Sequence, residues 1–144
     1  MYKKILIAYD GSEGSKFALT TAIELAKQCG AKLSAIWVKS KLPHYPETVS
    51  EINEEQTAAD LFLEGLKKDL MEYSQKYGIE IDFYYVSGNP SKVIVSYAKG
   101  QDFDLIVLGN EGHSGLWGSS LGHTADRVSE HAHCSVLIVR RTKQ

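Results

Sequence analysis

A glycine-rich segment follows one of the most apolar stretches of the chain. The segment LGNEGHSGLWGSSLGHTAD, residues 108–126, contains five glycines, and its first residue ends the apolar run DLIVL. Glycine allows other groups to approach the backbone closely, so a loop of this kind between a strand and a helix often holds an anion such as phosphate. The alternative is a flexible surface loop without a ligand. Asp10, which follows an apolar segment near the amino terminus, could accept hydrogen bonds from a ribose or a base.

Five short segments rich in branched aliphatic and aromatic residues predict β-strands. They are KILIAY (4–9), KLSAIWV (32–38), IEIDFYYV (79–86), DLIVL (104–108) and SVLIVR (135–140). The first and the last two are almost continuously apolar, which is typical of strands covered on both faces in a parallel sheet.

Helical spacing of apolar residues predicts a helix after each of the first four strands. The ranges are 12–30, 50–77, 90–100 and about 122–131. Ser12 is suited to cap the first helix, and Gly30 and Gly78 are suited to end the first and second. Alternation of strands and helices predicts an α/β fold with a mainly parallel sheet, and the 144 residues predict one domain over 1–144.

The composition excludes several classes of protein. An apolar fraction of 43%, a charged fraction of 24% and a net charge of -2 are ordinary for a globular protein and give no electrostatic footprint for nucleic acid. No apolar run approaches the roughly 20 residues that span a bilayer, and the run near the start is too short for a signal peptide. We therefore expect a cytoplasmic protein with reduced cysteines that binds neither nucleic acid nor membranes.

In a doubly wound sheet, ligands bind beyond the carboxyl ends of the strands where the strand order reverses. With the order 3-2-1-4-5, the first and fourth strands are neighbours, so AYDGS and LGNEG would face one crevice. Asp10 would then meet a ribose or base, and the glycine loop and the start of the fourth helix would meet phosphate. Neither the G-x-x-x-x-G-K-[ST] signature nor G-x-G-x-x-G after the first strand is present.

The glycine loop instead has the spacing G-x2-G-x9-G, formed by Gly109, Gly112 and Gly122. Together with ILIAYDGS near the start and HCSVLIVR near the end, it resembles the universal stress protein family over essentially the whole chain. The resemblance implies a single-domain Rossmann-like sandwich of the adenine nucleotide alpha hydrolase type. Its five-stranded parallel sheet would have the order 3-2-1-4-5, with helices on both faces. It also implies a homodimer and, in one branch, binding of ATP, with AMP, ADP and accompanying magnesium as further candidates.

That branch's pattern assigns eight residues of this chain to the nucleotide. It places Ala8 and Asp10 beside the adenosine and the backbone of Val38 at the adenine. The remaining five residues would bind the ribose and phosphates, and they are Gly109, Gly112, Gly122, His123 and Thr124. Asp10 could alternatively serve only as a turn residue that caps the local backbone.

The loop departs from the ATP-binding pattern in its charge and in one side chain. His123 stands where the pattern has serine or threonine, and no lysine or arginine occurs between Gly109 and Asp126. Phosphate charge would have to be met by backbone N–H groups, the helix start, histidines or a divalent metal. Hydrolysis is therefore expected to be slow at most, because the loop shows neither a general base nor a cationic clamp.

Three functions stay open at this point. The first is a nucleotide-binding module of the stress response, supported by the glycine spacing. The second is a dimeric interaction module that does not bind ATP, in which the glycine loop only packs the fourth helix. The third is an ATPase or nucleotide-transferring enzyme, against which the lack of a catalytic constellation counts. The apolar run SVLIVRR favours a dimer through the last strand, since exposed apolar edges are usually paired or covered.

Other residues with reactive side chains have simpler explanations. The segment EHAHC, 130–134, offers imidazole and thiol groups, but its spacing matches no standard zinc pattern, so we expect no metal. Cys29 and Cys134 are expected to be small buried residues, and Asp102 and Asp104 to be solvated turn residues at a strand start. Trp37 is expected to pack under a helix, and Trp117 to shield a ligand or anchor the loop.

Overall fold

The computed structural model describes residues 1–40, 48–110 and 120–141. The strands are β1 (Lys4–Ala8), β2 (Lys32–Ser40), β3 (Ile81–Gly88), β4 (Leu105–Gly109) and β5 (Ser135–Val139). The helices are α1 (Glu13–Cys29), α2 (Val49–Tyr77), α3 (Pro90–Gly100) and α4 (Ser120–His131). These bounds confirm the existence and type of every predicted element, with shifts of up to two residues at the ends. β3 begins and ends two residues later than predicted, β2 ends two residues later, and α4 begins before Gly122 and therefore includes that glycine in its first turn.

The five strands form one parallel sheet in the order β3-β2-β1-β4-β5. Ile5 of β1 pairs with Leu33 of β2 on one side and with Leu105 of β4 on the other. The predicted sheet order is thus confirmed, and the carboxyl ends of β1 and β4 are neighbours. The strand order reverses between them, which is where sheets of this kind bind ligands.

Two apolar cores cover the two faces of the sheet. Successive side chains of β1 alternate between them, with Ile5 and Ile7 in the core under α1 and α2 and Leu6 in the core under α3 and α4. All three are fully buried. This two-sided burial explains why β1 and β4 are continuously apolar in the sequence.

Local capping sets the ends of the helices as the sequence predicted. The Ser12 hydroxyl accepts a hydrogen bond from the Ser15 N–H at 3.2 Å, at the start of α1. Gly30 and Gly78 end α1 and α2 with φ of 66° and 62°, the left-handed conformation that glycine adopts without steric cost.

Two expectations about the amino-terminal edge of the sheet were wrong. Cys29 and Cys134 are half-buried rather than buried. Asp104 is more than a solvated turn residue, because its carboxylate accepts hydrogen bonds from the backbone N–H groups of Lys3 at 2.9 Å and Lys4 at 3.1 Å. It therefore joins the start of β1 to the start of β4, about a hundred residues later in the chain.

Within the described ranges, none of the helices combines the length and apolar character that a bilayer crossing requires.

Candidate functional site

Asp10 lies in the turn that connects β1 to α1, at the carboxyl edge of the sheet. Its Oδ1 accepts a hydrogen bond from the Ser12 N–H at 2.9 Å, and its own N–H donates to the Ser15 hydroxyl at 3.3 Å. The turn role considered for Asp10 is therefore real. A carboxylate offers about four acceptor positions, so this bond is compatible with a further bond to a ligand hydroxyl.

Gly109 ends β4 beside that turn, and its lack of a side chain has a packing reason. A Cβ atom at Gly109 would lie 2.8 Å from the carbonyl oxygen and 2.9 Å from the carbonyl carbon of Gly14, in the first turn of α1. These distances are shorter than real Cβ contacts, so glycine at this position allows α1 to approach the sheet closely. The sequence reasoning missed Gly14; the available signal was a glycine in a helical segment, which usually has a packing reason.

Ala8 and Val38 belong mainly to the core beneath the site. Ala8 is buried in the core under α3 and α4, so its side chain belongs to that core. Val38 is half-buried against the same core and lies two residues beyond Ile36, whose carbonyl accepts the Tyr9 N–H at 2.9 Å. Their side chains thus shape the floor of the site rather than supply polar contacts.

The first five residues of α4 include the remaining predicted residues that the structure describes. Gly122 is part of the helix, His123 is exposed, and Thr124 is buried together with Ala125 and Val128. A helix start directs unpaired backbone N–H groups outward and favours a negative charge. Gly112 lies between residues 111 and 119, outside the described residues, as does Trp117.

Tyr9, which the sequence reasoning also missed, joins the site to α2. It is almost fully buried, and its hydroxyl donates a hydrogen bond to Asp69 Oδ2 of α2 at 2.9 Å. Burial and, next, this hydrogen bond raise the pKa of Tyr9 well above its usual value, so its hydroxyl stays protonated. About one turn earlier in α2, Leu66 Cδ2 lies 3.1 Å from the position that a Cβ atom would occupy at Gly11. The middle of α2 therefore supports the backbone turn that carries Asp10.

The structure gives the histidines and cysteine of EHAHC ordinary surface roles. His131 and His133 are exposed, and His131 Nε2 lies 3.9 Å from Glu130 Oε2. Burial, followed by the charge of Asp104, raises the pKa of Cys134, so it is a neutral thiol and a poor nucleophile. Across the described part of the chain, no group of three or more histidine, cysteine, aspartate and glutamate residues is placed to hold a metal ion.

One feature near the site was expected from the sequence, and a second was not. The ring of Trp37 packs against Phe62 of α2, with ring centroids 5.0 Å apart, which confirms that this tryptophan lies under a helix. β2 and β3 continue for four residues beyond the end of β1, from Trp37 to Ser40 and from Tyr85 to Gly88. At the carboxyl edge of the sheet, β2 and β3 therefore extend further than β1.

Comparison with known proteins gives the same family from sequence and from structure. Residues 1–140 match the model of the universal stress protein family. A universal stress protein of Methanocaldococcus jannaschii is 36% identical, with 100% of this chain and 85% of that protein covered. The universal stress protein YxiE of Bacillus subtilis is 35% identical, with 97% of this chain and 100% of that protein covered.

Solved structures share the fold. The universal stress protein UspA of Lactobacillus plantarum has a TM-score of 0.82 at 26% identity and covers 96% of this chain and 98% of its own. A universal stress protein in complex with cAMP has a TM-score of 0.69 at 24% identity, covering 98% and 99%. A family member from Arabidopsis thaliana with AMP bound has a TM-score of 0.66 at 17% identity, covering 97% and 92%.

Proposed function

The chain belongs to the universal stress protein family, and on that premise we propose that it binds an adenine nucleotide where β1 and β4 end. The observation that carries the proposal is the adjacency of these two strand ends at the reversal of strand order. The Asp10 turn and Gly109 lie there. The adenosine would contact Asp10 and the backbone of Ala8 and Val38.

The chemistry of the described residues fits such a ligand. Asp10 is a charged acceptor for ribose hydroxyls, and the start of the twelve-residue helix α4 favours phosphate through its N–H groups. Gly122, His123 and Thr124 would hold the phosphate end, together with Gly109 and Gly112. Proteins of this fold bind AMP and cAMP, which supports an adenine nucleotide as the ligand class.

The finer part of the proposal is ATP, with or without magnesium, and little or no hydrolysis. None of the described side chains named for the nucleotide is a lysine or arginine. A site without a cationic clamp can bind a nucleotide through backbone dipoles but stabilises a phosphoryl-transfer transition state poorly. In this proposal the protein acts in the cytoplasm through the presence or absence of a bound nucleotide, rather than by hydrolysing it.

One observation favours the second function, a dimeric interaction module that does not bind ATP. The contact between Gly109 and Gly14 gives the first glycine of the loop a reason to be glycine without any ligand. A binding measurement separates the two functions. We expect the parent protein to bind AMP or ATP with a dissociation constant well below millimolar in calorimetry, with and without magnesium. Millimolar or weaker binding of both nucleotides would favour the interaction module.

Replacing Asp10 by alanine is expected to weaken that binding by about 1.5 to 3 kcal/mol, the value of a hydrogen bond to a charged group. The matched control is Ser12→Ala, which removes the hydroxyl that accepts the Ser15 N–H but keeps the carboxylate. The control should cost about 1 kcal/mol of unfolding free energy, as other lost N-caps do, without changing the dissociation constant. Equal losses of affinity in both variants would mean that Asp10 acts only through the turn.

Replacing His123 by serine is expected to tighten ATP binding by about 0.5 to 1.5 kcal/mol, because it places a hydroxyl donor in the first turn of α4. His123 is exposed, so the unfolding free energy should stay within about 0.5 kcal/mol of the parent. His131→Ser, at the other end of the same helix, serves as the control and should leave ATP affinity unchanged. Unchanged affinity in His123→Ser would indicate that this side chain faces away from phosphate.

A further inference from the structure

Helix α2 is much longer than the part of the sheet that it covers. Its 29 residues span about 43 Å, whereas the eight residues of β3 beneath it span about 27 Å. Its two buried residues, Leu66 and Leu70, both lie in the second half. Leu66 contacts the turn at the end of β1. The part of α2 that precedes Leu66 is about 25 Å long. We call residues 49–64 the projecting half of α2.

The projecting half carries apolar side chains that its own chain leaves exposed. Val49 is 72% exposed, Ile52 47%, Leu61 69% and Phe62 39%. Ile52 lies fourteen residues before Leu66 and so occupies the same helical face as the buried part of α2. The apolar stripe that packs onto the sheet therefore continues outward, and there the ring of Phe62 contacts Trp37.

The same half is uniformly acidic. Between residues 48 and 64 the chain has five acidic residues and no lysine or arginine, the acidic residues being Glu51, Glu54, Glu55, Asp60 and Glu64. The rest of the chain has more basic than acidic residues. The first cation along the helix is Lys67, whose Nζ lies 3.5 Å from Glu64 and over the ring of Tyr85.

This charge decides which occupants suit the surface. Two projecting halves packed together would bring like charges into contact, which opposes a second copy of the same helix. Nucleic acid and anionic membrane surfaces are negative and are disfavoured for the same reason. A positively charged apolar partner would gain both from burial of the stripe and from the flanking carboxylates.

We propose that the projecting half of α2 docks a basic amphipathic helix of a partner protein, one with an apolar face flanked by lysine or arginine. Helix-to-helix docking of this kind uses apolar anchors at helical spacing, which Ile52, Ala59 and Phe62 supply. The carboxylates of Glu54 and Asp60 would pair with the partner's cations at the rim. The surface lies on α2 and needs no nucleotide, so the proposal stands or fails separately from the proposed function.

The test uses the full chain and a synthetic probe, a labelled peptide of about five helical turns built from leucine and lysine. Its comparison is the same peptide with glutamate in place of lysine. We expect the basic peptide to bind without nucleotide, as measured by fluorescence anisotropy. Its affinity should fall as the salt concentration rises from about 50 to about 300 mM. Ile52→Gln, and separately Glu54→Gln with Asp60→Asn, should each weaken binding about tenfold.

The controls are on the same helix beyond the projecting half. Met71 is 63% exposed and Glu72 is exposed, so Met71→Gln and Glu72→Gln remove one apolar and one acidic group from another part of α2 and should change binding less than about twofold. The proposal is overturned if the basic peptide does not bind, if the acidic peptide binds equally, or if the control variants lose as much. Sedimentation in which the parent associates and Ile52→Gln does not would identify a second copy as the occupant and would also overturn it.

Discussion

Replacing Gly109 by alanine is expected to lower the free energy of unfolding by about 1 to 3 kcal/mol, the range of other overpacked sites. The new methyl group would stand 2.8 Å from the Gly14 carbonyl oxygen. That neighbour is backbone inside a helix, so it cannot rotate away as a side chain could. The first turn of α1 would have to move from the end of β4, and Ser15, which is fully buried in that turn, would move with it. Urea denaturation followed by circular dichroism measures the change.

Gly65→Ala is the matched control for this substitution. Gly65 lies within α2, and a Cβ atom there would have no heavy atom within 4 Å. Alanine at this position should raise the free energy of unfolding by about 0.5 to 1 kcal/mol, because glycine is the poorer helix former. The two substitutions add the same methyl group and are expected to act in opposite directions.

The outcome also separates two reasons for Gly109. If Gly109→Ala is as stable as the parent and loses only nucleotide binding, the glycine serves the ligand, and the close approach of α1 can relax. If stability falls as expected, the first glycine of the loop has a packing role whatever the loop binds. A parent that binds nucleotide tightly would then show that both roles are compatible at one position.

Replacing Ile138 by proline is expected to dissociate the homodimer that we propose to form through β5. β5 is the last strand of the sheet. The Val139 carbonyl accepts the Asn110 N–H at 3.0 Å and so points toward β4. Backbone groups of neighbouring residues in a strand point to opposite sides, so the Ile138 N–H points to the outer edge, where the partner's β5 would pair antiparallel.

Proline at position 138 therefore removes an N–H from the dimer ladder and leaves the ladder to β4 intact. Each lost bond leaves a partner carbonyl unsatisfied at a cost of about 1 to 3 kcal/mol, and a symmetric dimer loses it twice. The dissociation constant should rise at least about thirtyfold, giving monomers or insoluble protein in sedimentation. Ile138→Ala is the control: it shortens the side chain but keeps the N–H, so the dimer should persist.

A dimer that survives Ile138→Pro unaltered would place the interface elsewhere. Leu137→Pro separates dimer loss from unfolding, because the Leu137 N–H points toward β4 by the same alternation. That variant should lower the stability of the chain itself, whereas Ile138→Pro should lower mainly its association. The two neighbouring positions thus distinguish an edge contact from an internal one.

Much of the fold followed from short stretches of sequence. The stops at Gly30 and Gly78 and the cap at Ser12 lie where the sequence predicted them, because each depends on a few neighbouring residues. The continuously apolar β1 and β4 indicated burial on both faces, and the sheet order agrees with the family resemblance. Of the eight residues assigned to the nucleotide, seven lie at the carboxyl edge or in the first five residues of α4. Their roles toward a ligand stay predictions, as does the role of Gly112.

Four features could not be predicted from local pattern. Asp104 bonds to the backbone of Lys3 and Lys4, Tyr9 bonds to Asp69, and Gly109 meets Gly14. Each pair is separated by sixty or more residues, and neither member has an unusual sequence context by itself. The fourth is the length of α2 beyond the sheet, since the spacing of its apolar residues is the same where it is buried and where it projects.

The family was identified from motifs at both ends of the chain and in the glycine loop. The strands, the helices and most of their ends were determined by the sequence by itself. These depend on backbone preference and on the periodicity of apolar residues, which act over a few positions. Only the tertiary structure decided that Gly109 is needed for the approach of α1, that Tyr9 supports the Asp10 turn from α2, and that apolar side chains in the acidic half of α2 are exposed. Those outcomes depend on which distant segments pack together when the two cores form on the faces of the sheet. The spacing of residues along the chain does not specify those contacts.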